Sequence, residues 1–454
     1  MEINEIYVSL REGLKELKNV DVRIKYLKKL REAIISNIDN LNLALRNDFN
    51  KPEFETISTE VFGVIEEIDN FIKHLKRWTR PKKVHTSFLN FPSSGYIYKD
   101  PIGVVYIASP WNYPFNLTFT PLVGAIGSGD TVILRPSSST SETSIVIDKI
   151  CKEAFPRNIV YVALGGHDIA DQILELDLDM VFFTGSVKVG REIYQKAASH
   201  LSRVVLELGG KSPLIVLSDA DIDKAAKRTV WGKFINGGQT CIAPDYVIID
   251  KSVKELFINS LKKYIKEFYF EDGKLTNNFP HIINDKNYLR LKSYLNNEVV
   301  FGGEFDDKKR LIYPTILDNV KFDDAFMQEE IFGPLLPIIS IDKEEEIYPI
   351  IEHHSNPLAT YVFSKNKKHA KQVITKINFG GGCINDTVMH LTNENLPFGG
   401  IKTSGLLAYH GYESFKVFTH FKSVLVKSPN REINFKYPPY IEKKIKFLRK
   451  IGKF

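Results

Sequence analysis

At 454 residues, with 43% hydrophobic and 26% charged side chains, the chain is long enough for two or three domains of roughly 150 residues and too apolar to be disordered. Of the net charge of +6, most sits in residues 441–454, where six basic residues face one acid; the near-neutral remainder excludes a nucleic-acid footprint. Three scattered cysteines, Cys151, Cys241 and Cys383, exclude a disulfide framework and a CxxC zinc site, and no metal is expected.

The cysteine usage fits a reducing compartment. The first residues lack the basic and apolar runs of a signal peptide, and no stretch of about 18 apolar residues is present. A cytoplasmic location is expected.

Residues 1–80 read as helices. Leu14, Leu17, Val20 and Val22 open an apolar pattern that Ile24, Leu27, Leu30, Ile34 and Ile35 continue at helical spacing, and Phe62 to Trp78 repeats it. Around Ser94-Gly95 the texture changes, and Tyr96-Ile97-Tyr98 predicts a β-hairpin, an arm leaving the first domain. From Ile102 short apolar segments alternate with helical ones: 103–108, 131–134, 159–163 and 180–183 are the predicted strands, and the Ser/Thr cluster after Pro136 is expected to cap a helix near Glu142. This alternation predicts a parallel, doubly wound α/β sheet.

A second α/β region, with strands at 246–250 and 359–363, follows a hinge near Gly209-Gly210-Lys211-Ser212-Pro213. A late strand is expected at 417–426. The expected division is a dinucleotide-binding domain at 1–83 and 102–209, a β arm at 84–101 and 417–428, a catalytic domain at 210–416, and a tail at 429–454. In that tail Ile441, Ile445, Leu448 and Ile451 recur at helical spacing among Lys and Arg, which predicts a basic amphipathic helix. It is expected to dock on the enzyme or across a dimer, with weak peripheral contact to anionic membranes as the alternative.

Six segments carry chemistry. Phe183-Thr-Gly-Ser-Val-Lys-Val-Gly190 follows a strand and opens a helix, whose N-terminus favours a phosphate; alone it also reads as an ordinary turn. In Leu206-Glu-Leu-Gly-Gly-Lys-Ser-Pro213, Glu207 reads equally as a buried structural acid or as a general base in a partly apolar cleft. In Gly237-Gly-Gln-Thr-Cys-Ile242, glycine-rich backbone leaves the Cys241 sulfur unshielded, and nearby N–H groups can stabilise an anion. Pro110-Trp-Asn-Tyr-Pro114 sits at a strand end where open α/β sheets bind ligands, so Asn112 can donate to an oxyanion or simply make a turn. Gln328-Glu-Glu-Ile-Phe-Gly-Pro334 and Leu396-Pro-Phe-Gly-Gly400 are dense motifs that alone read as turns.

Together, in identity, order and spacing, PWNYP, FTGSVKVG, LELGGKSP, GGQTCIAP, EEIFGP and LPFGG resemble the aldehyde dehydrogenase family. The resemblance covers nearly the whole chain. Within the family the chain looks like the class 3 branch, on the short N-terminus, Trp231, CIAPDY, Ala408-Tyr-His-Gly411 and Tyr437-Pro-Pro-Tyr440.

The resemblance implies a Rossmann-type cofactor domain, a second α/β catalytic domain and a small β oligomerisation arm. It implies NAD- or NADP-dependent oxidation of a medium- or long-chain aliphatic or aromatic aldehyde to the acid by a homodimer. Cys241 would be the nucleophile, Asn112 an oxyanion donor and Glu207 the base that activates the hydrolytic water. Gly185, Ser186, Gly190 and Leu208 would line the cofactor. Glu330 would bind the nicotinamide ribose, and Phe332 would pack on the ring. Tyr113, Trp231, Ile242 and His410 are expected in the substrate pocket, with His410 read equally as structural.

Two departures stand out. Arg135-Pro-Ser-Ser138 replaces the family's Lys-Pro-Ser-Glu, which removes the acid that repels a 2′-phosphate and predicts tolerance of NADP. Val187 replaces a frequent Thr. The rival readings are a coenzyme A-acylating aldehyde dehydrogenase, which lacks the base that Glu207 supplies here, a thiol-dependent ester hydrolase, for which the cofactor motifs would have no purpose, and a non-enzymatic binding protein.

Overall fold

The computed structural model describes residues 2–87, 90–296, 298–354 and 356–453. Two parallel sheets dominate it. In the first, the strand order is Gly405–Leu406, Arg203–Leu208, Met180–Gly185, Val104–Ala108, Thr131–Arg135, Val160–Val162. The chain starts in the middle at Val104–Ala108, winds outward through the strands at 131 and 160, and then returns to the other side at 180 and 203. This is the doubly wound order, with its switch point between Val104–Ala108 and Met180–Gly185. All five residues of Val104–Ala108 are buried, as a strand covered on both faces requires.

The second sheet runs Val299–Phe301, Thr315–Leu317, Leu335–Ile341, Tyr246–Asp250, Pro213–Val216, Ala359–Phe363, Gly381–Ile384. Every neighbouring pair is parallel except the first, which is antiparallel. The predicted strand at 246–250 lies at its centre, and that at 359–363 is next to its edge strand.

A third, antiparallel sheet joins Lys82–Val84, Ser93–Pro101 and Thr419–Lys427. Ser94-Gly95, which suggested the hairpin, lies inside a strand: Gly95 pairs with Val84 and with Leu425. The connection falls instead at 85–92, where residues 88 and 89 lie outside the described residues.

Two local expectations are corrected, and the tail takes a definite local form. Gly405–Leu406, expected within the catalytic region, pairs antiparallel with Leu206 and Glu207 of the first sheet. The helix near Glu142 spans Ser141–Ala154, but Thr140 makes no side-chain cap. Its cap comes from Asp48, whose carboxylate accepts the N–H groups of Glu142 and Thr143 at 3.2 and 2.9 Å. That partner is 94 residues away, so local capping rules could not see it. Finally, the tail helix Glu442–Gly452 buries no residue. It touches its own preceding turn through a Phe435–Phe447 ring contact and a Lys444 Nζ bond to the Tyr437 carbonyl.

Candidate active site

The C-terminal edge of the first sheet gathers most of the expected residues. Val104–Ala108 leads into the loop carrying Asn112, Met180–Gly185 leads into Ser186, and Arg203–Leu208 carries Glu207 one residue before its end. Thr184 lies beside Glu207 in register, which sets the cofactor turn next to the acid.

The Cys241 loop reaches this edge from the other region. Asn236, Gly237 and Gly238 adopt φ of 56°, 62° and 75°, a left-handed run that closes the end of the helix Ile222–Phe234. A Cβ on Gly238 would lie 2.3 Å from the Gly333 carbonyl oxygen. Backbone there meets backbone of the EEIFGP turn, so two motifs more than 80 residues apart touch.

The Asn112 amide is buried and donates from Nδ2 to the Gln239 carbonyl at 3.0 Å. Asn236 Nδ2 donates in turn to the Asn112 and Gln239 carbonyls at 2.9 and 3.1 Å. Gln239 is fully satisfied by the Asn236 and His281 carbonyls and the Ile283 N–H. The Asn112 and Cys241 loops are therefore stitched together two residues before the sulfur.

Cys241 is partly buried, and its thiol is pushed up to about 12. Burial is the main cause, Glu330 and Glu207 add repulsion, and the backbone N–H groups of Cys241 and Ile242 act in the opposite sense. Glu207 is 3% exposed, and neither carboxylate oxygen has a hydrogen-bond partner. Burial alone holds its carboxyl well above the usual range. An unsatisfied buried acid is costly in a structural role and suited to a proton acceptor for a small guest.

Glu330 is also raised, to about 8, by burial and by Asp245, against the Gly210 N–H, Lys211 and Arg290. A Cβ on Gly209 would lie 2.0 Å from Glu330 Oε2, so only glycine lets this carboxylate reach the backbone after Leu208. Phe332, at φ 50°, packs its ring edge-on to Trp111 at 5.4 Å. Lys211 and Asp245, unremarked in sequence, hold this turn. Lys211 Nζ meets Asp245 at 2.5 Å and the Phe326 and Glu329 carbonyls at 2.8 and 3.0 Å, while Asp245 accepts the Ile331 N–H. The signal was available: each charge sits inside an otherwise apolar motif. Nearby Lys233 is fully buried without a hydrogen-bond partner, and burial lowers its ammonium to about 8.

The residues fit a dinucleotide. Ser186 caps the helix Val187–Ser199, accepting the Val189 N–H at 3.4 Å. The Thr184 hydroxyl is buried and unpartnered. A Cβ on Gly190 would lie 2.6 Å from Leu208 Cδ2, so this helix start packs on the strand that carries Glu207. Arg135 donates to the Gly165 and Gly166 carbonyls, and Ser138 is exposed with no acid in its place.

On the substrate side, Tyr113 donates or accepts a 2.6 Å bond with the Thr240 hydroxyl, next to Cys241. Trp231 is partly buried in the helix before the Cys loop. His410 has φ 82° and stacks on Phe398 at 5.3 Å; burial lowers its imidazole to about 4, so it is an uncharged wall. Ile242, expected in the pocket, is 1% exposed in the main core, and its carbonyl accepts the Tyr361 hydroxyl. It supports the loop from behind.

The sequence model of the aldehyde dehydrogenase family matches residues 2–424. The chain is 43% identical to 4,4'-diaponeurosporen-aldehyde dehydrogenase of Staphylococcus aureus (strain NCTC 8325 / PS 47), covering 96% of this chain and 95% of that one. It is 41% identical to the dimeric NADP-preferring aldehyde dehydrogenase of Rattus norvegicus, covering 93% and 94%. A solved structure of substrate-bound Staphylococcus aureus AldH superposes with a TM-score of 0.96 at 41% identity over the whole of both chains. An NAD+ complex of aldehyde dehydrogenase from Bacillus cereus gives 0.84 at 26% identity, covering 93% and 88%. Sequence, fold and site agree: the chain belongs to the aldehyde dehydrogenase family, on its class 3 side, and oxidises an aldehyde to the carboxylic acid with NAD(P).

Proposed function

We propose that Cys241, Asn112 and Glu207 carry this reaction, on a medium- or long-chain aliphatic or aromatic aldehyde. The observation that carries the assignment is Glu207: a buried carboxylate with no hydrogen-bond partner, close enough to the Cys241 sulfur for its charge to raise the thiol. The Cys241 sulfur, as thiolate, bonds to the aldehyde carbon, and the carbonyl electron pair moves to oxygen. That oxyanion is received by the Asn112 side-chain amide and the Cys241 N–H, and one such donor is typically worth roughly 3–4 kcal/mol. NAD(P), held by the residues named below, would supply the acceptor for the hydride that leaves this carbon, and Cys241 would then hold the acyl group as a thioester. Glu207 then takes a proton from water, the hydroxide adds to the thioester, and the C–S bond breaks to release the acid and the thiolate.

Glu330 is read as the ribose ligand, Phe332 as the ring's neighbour, and Gly185, Ser186, Gly190 and Leu208 as the cofactor cradle. Arg135 and Ser138 favour acceptance of NADP, in keeping with the name of the rat relative. Tyr113, Trp231 and His410 line the substrate side. The thiol-hydrolase and acylating alternatives fail to use both Glu207 and the cofactor turn.

The test is pre-steady-state. Glu207→Gln should release about one equivalent of reduced nicotinamide per site and then turn over about 10²–10⁴-fold more slowly, whereas Cys241→Ala should give neither burst nor turnover. A Cys241→Ala enzyme that still reduces NAD(P) would defeat the assignment. Full steady-state rate in Glu207→Gln would remove the base.

We also propose a cytoplasmic homodimer built on the arm. The Thr419–Lys427 edge strand exposes Phe421, Leu425 and Val426, an unprotected edge of the kind that pairs with another chain. No helix among the described residues is long and apolar enough to cross a membrane. The tail helix leaves Ile441, Ile445, Leu448 and Ile451 exposed among basic residues, which suits weak contact with anionic lipid. Co-sedimentation of the full chain, but not of one ending at 440, with anionic vesicles is expected; equal behaviour would leave the tail to the partner subunit.

A further inference from the structure

One continuous helix underlies three loops of the site. It begins as Glu53–Glu55, widens to a π-turn over Thr56–Val61, and continues as Phe62–Trp78. Three of its carboxylates accept backbone N–H groups from three separate loops. Glu55 Oε2 accepts from Asn236, in the loop that carries Cys241, at 2.9 Å. Glu60 Oε2 accepts from Phe115 and Asn116, where the loop that carries Asn112 enters the helix Asn116–Ser128, at 3.2 and 2.9 Å. Glu67 accepts from Gly411, just after His410, at 3.0 Å.

The π-turn explains how the first two cooperate. Residues five apart on an α-helix point about 140° away from each other, since each advances about 100°. An i→i+5 turn brings them toward one side, and such turns collect at functional sites. Glu60 Oε1 is in turn held by Lys51 at 2.6 Å, with both side chains fully buried. Lys51 Nζ lies 4.1 Å from the Tyr113 ring centroid, and the Tyr113 hydroxyl reaches Thr240 beside Cys241. A buried ion pair contributes little net stability compared with apolar packing. What this pair does provide is a fixed acceptor beneath two successive N–H groups of the Asn112 loop.

We propose that Glu60, seated by Lys51 and assisted by Glu55, is a positioning residue that sets the Asn112 amide against the Cys241 N–H as a single oxyanion site. The inference rests on Asn112 being an oxyanion donor, and the experiment separates the two. Steady-state kinetics with NAD(P) and aldehyde are measured on wild type, Glu60→Gln, Asn112→Ala and the double variant, with thermal unfolding as the fold check.

Glu60→Gln turns an amide NH2 toward Lys51 and shifts the acceptor. Its kcat should fall about 10–100-fold, with KM for NAD(P) unchanged. The double variant should be no slower than Asn112→Ala alone within about twofold, because a misplaced donor that is already absent costs nothing more. A wild-type kcat in Asn112→Ala would sink the oxyanion reading itself. With that reading intact, a wild-type kcat in Glu60→Gln, or losses that multiply in the double variant, would overturn the positioning role. If Glu60→Gln does not fold, because Lys51 is left charged and buried, Lys51→Met with Glu60→Leu removes both charges and the acceptor together. The same non-additive loss is expected of it, and multiplicative or absent loss refutes the proposal equally.

Discussion

The catalytic floor and the cofactor rim of this enzyme are built in opposite ways. On the floor, Asn112, Gln239, Asn236 and the Cys241 loop are buried and bound to one another by side chain-to-backbone bonds across more than 120 residues of chain. On the rim, Ser138 is exposed, and the Arg135 guanidinium is partly open and donates to the Gly165 and Gly166 carbonyls. A buried floor cross-linked between loops can hold an oxyanion site to within a fraction of an ångström, and changes there should cost both fold and rate. An exposed rim tolerates exchange of charge, and changes there should alter cofactor choice and leave stability alone.

The sharpest way to break that contrast is Lys211→Met. It leaves Asp245, 5% exposed, without the ammonium it meets at 2.5 Å beneath the Glu330 turn. A loss of about 3–5 kcal/mol is expected for such a broken pair, visible as a lower denaturant midpoint, together with weaker cofactor binding. A variant as stable as wild type would mean that the turn is held by its backbone alone.

The sequence pattern marks the rim and the motif residues more readily than the groups that hold them from beneath. Asn112, Glu207 and Cys241 lie in short motifs whose glycines and prolines announce a turn, and the doubly wound order follows from strands and helices that alternate. Glu60 and Lys51 carry no local mark: a charged residue on an amphipathic helix reads as solvated until the fold brings another loop over it. The Asp48 cap was hidden for the same reason. Ser94-Gly95 misled because a glycine inside a strand gives the same local signal as a turn glycine, and the tail's apolar stripe could not say whether anything covers it. Pattern reveals what a segment does by itself; the partner of a buried polar group is a property of the fold.

A smaller effect tests a buried group that pattern could not reveal. Burial raises the Glu67 carboxyl to about 7, against which the Gly411 N–H and Ser414 hydroxyl work. Its folded pKa lies above the ordinary 4.5. Below about pH 4.5 it is protonated folded or unfolded. Between there and about 7 the unfolded chain releases the proton first, so stability is lost as pH rises through this window, by at most about 3 kcal/mol. Glu67→Gln keeps an acceptor for Gly411 and cannot ionise. Its melting temperature relative to wild type should therefore climb by a few degrees from pH 4.5 to 8, and parallel melting curves would show that the carboxyl titrates normally.

The smallest and most selective change belongs to the rim. Ser138→Glu restores a negative charge at an exposed position near Arg135. A carboxylate facing a 2′-phosphate across a few ångströms of partly screened space repels it by on the order of 1–2 kcal/mol. The kcat/KM for NADP should fall about tenfold, while that for NAD stays level or rises, since a ribose hydroxyl can donate to the new carboxylate. The melting temperature should not move, because Ser138 buries nothing. Raising the salt concentration should shrink the discrimination, which marks it as charge repulsion. If Ser138→Glu instead lowers both cofactors together, or destabilises the fold, then the rim is as rigid as the floor, and Arg135 is bound to its two carbonyls too firmly to serve either cofactor.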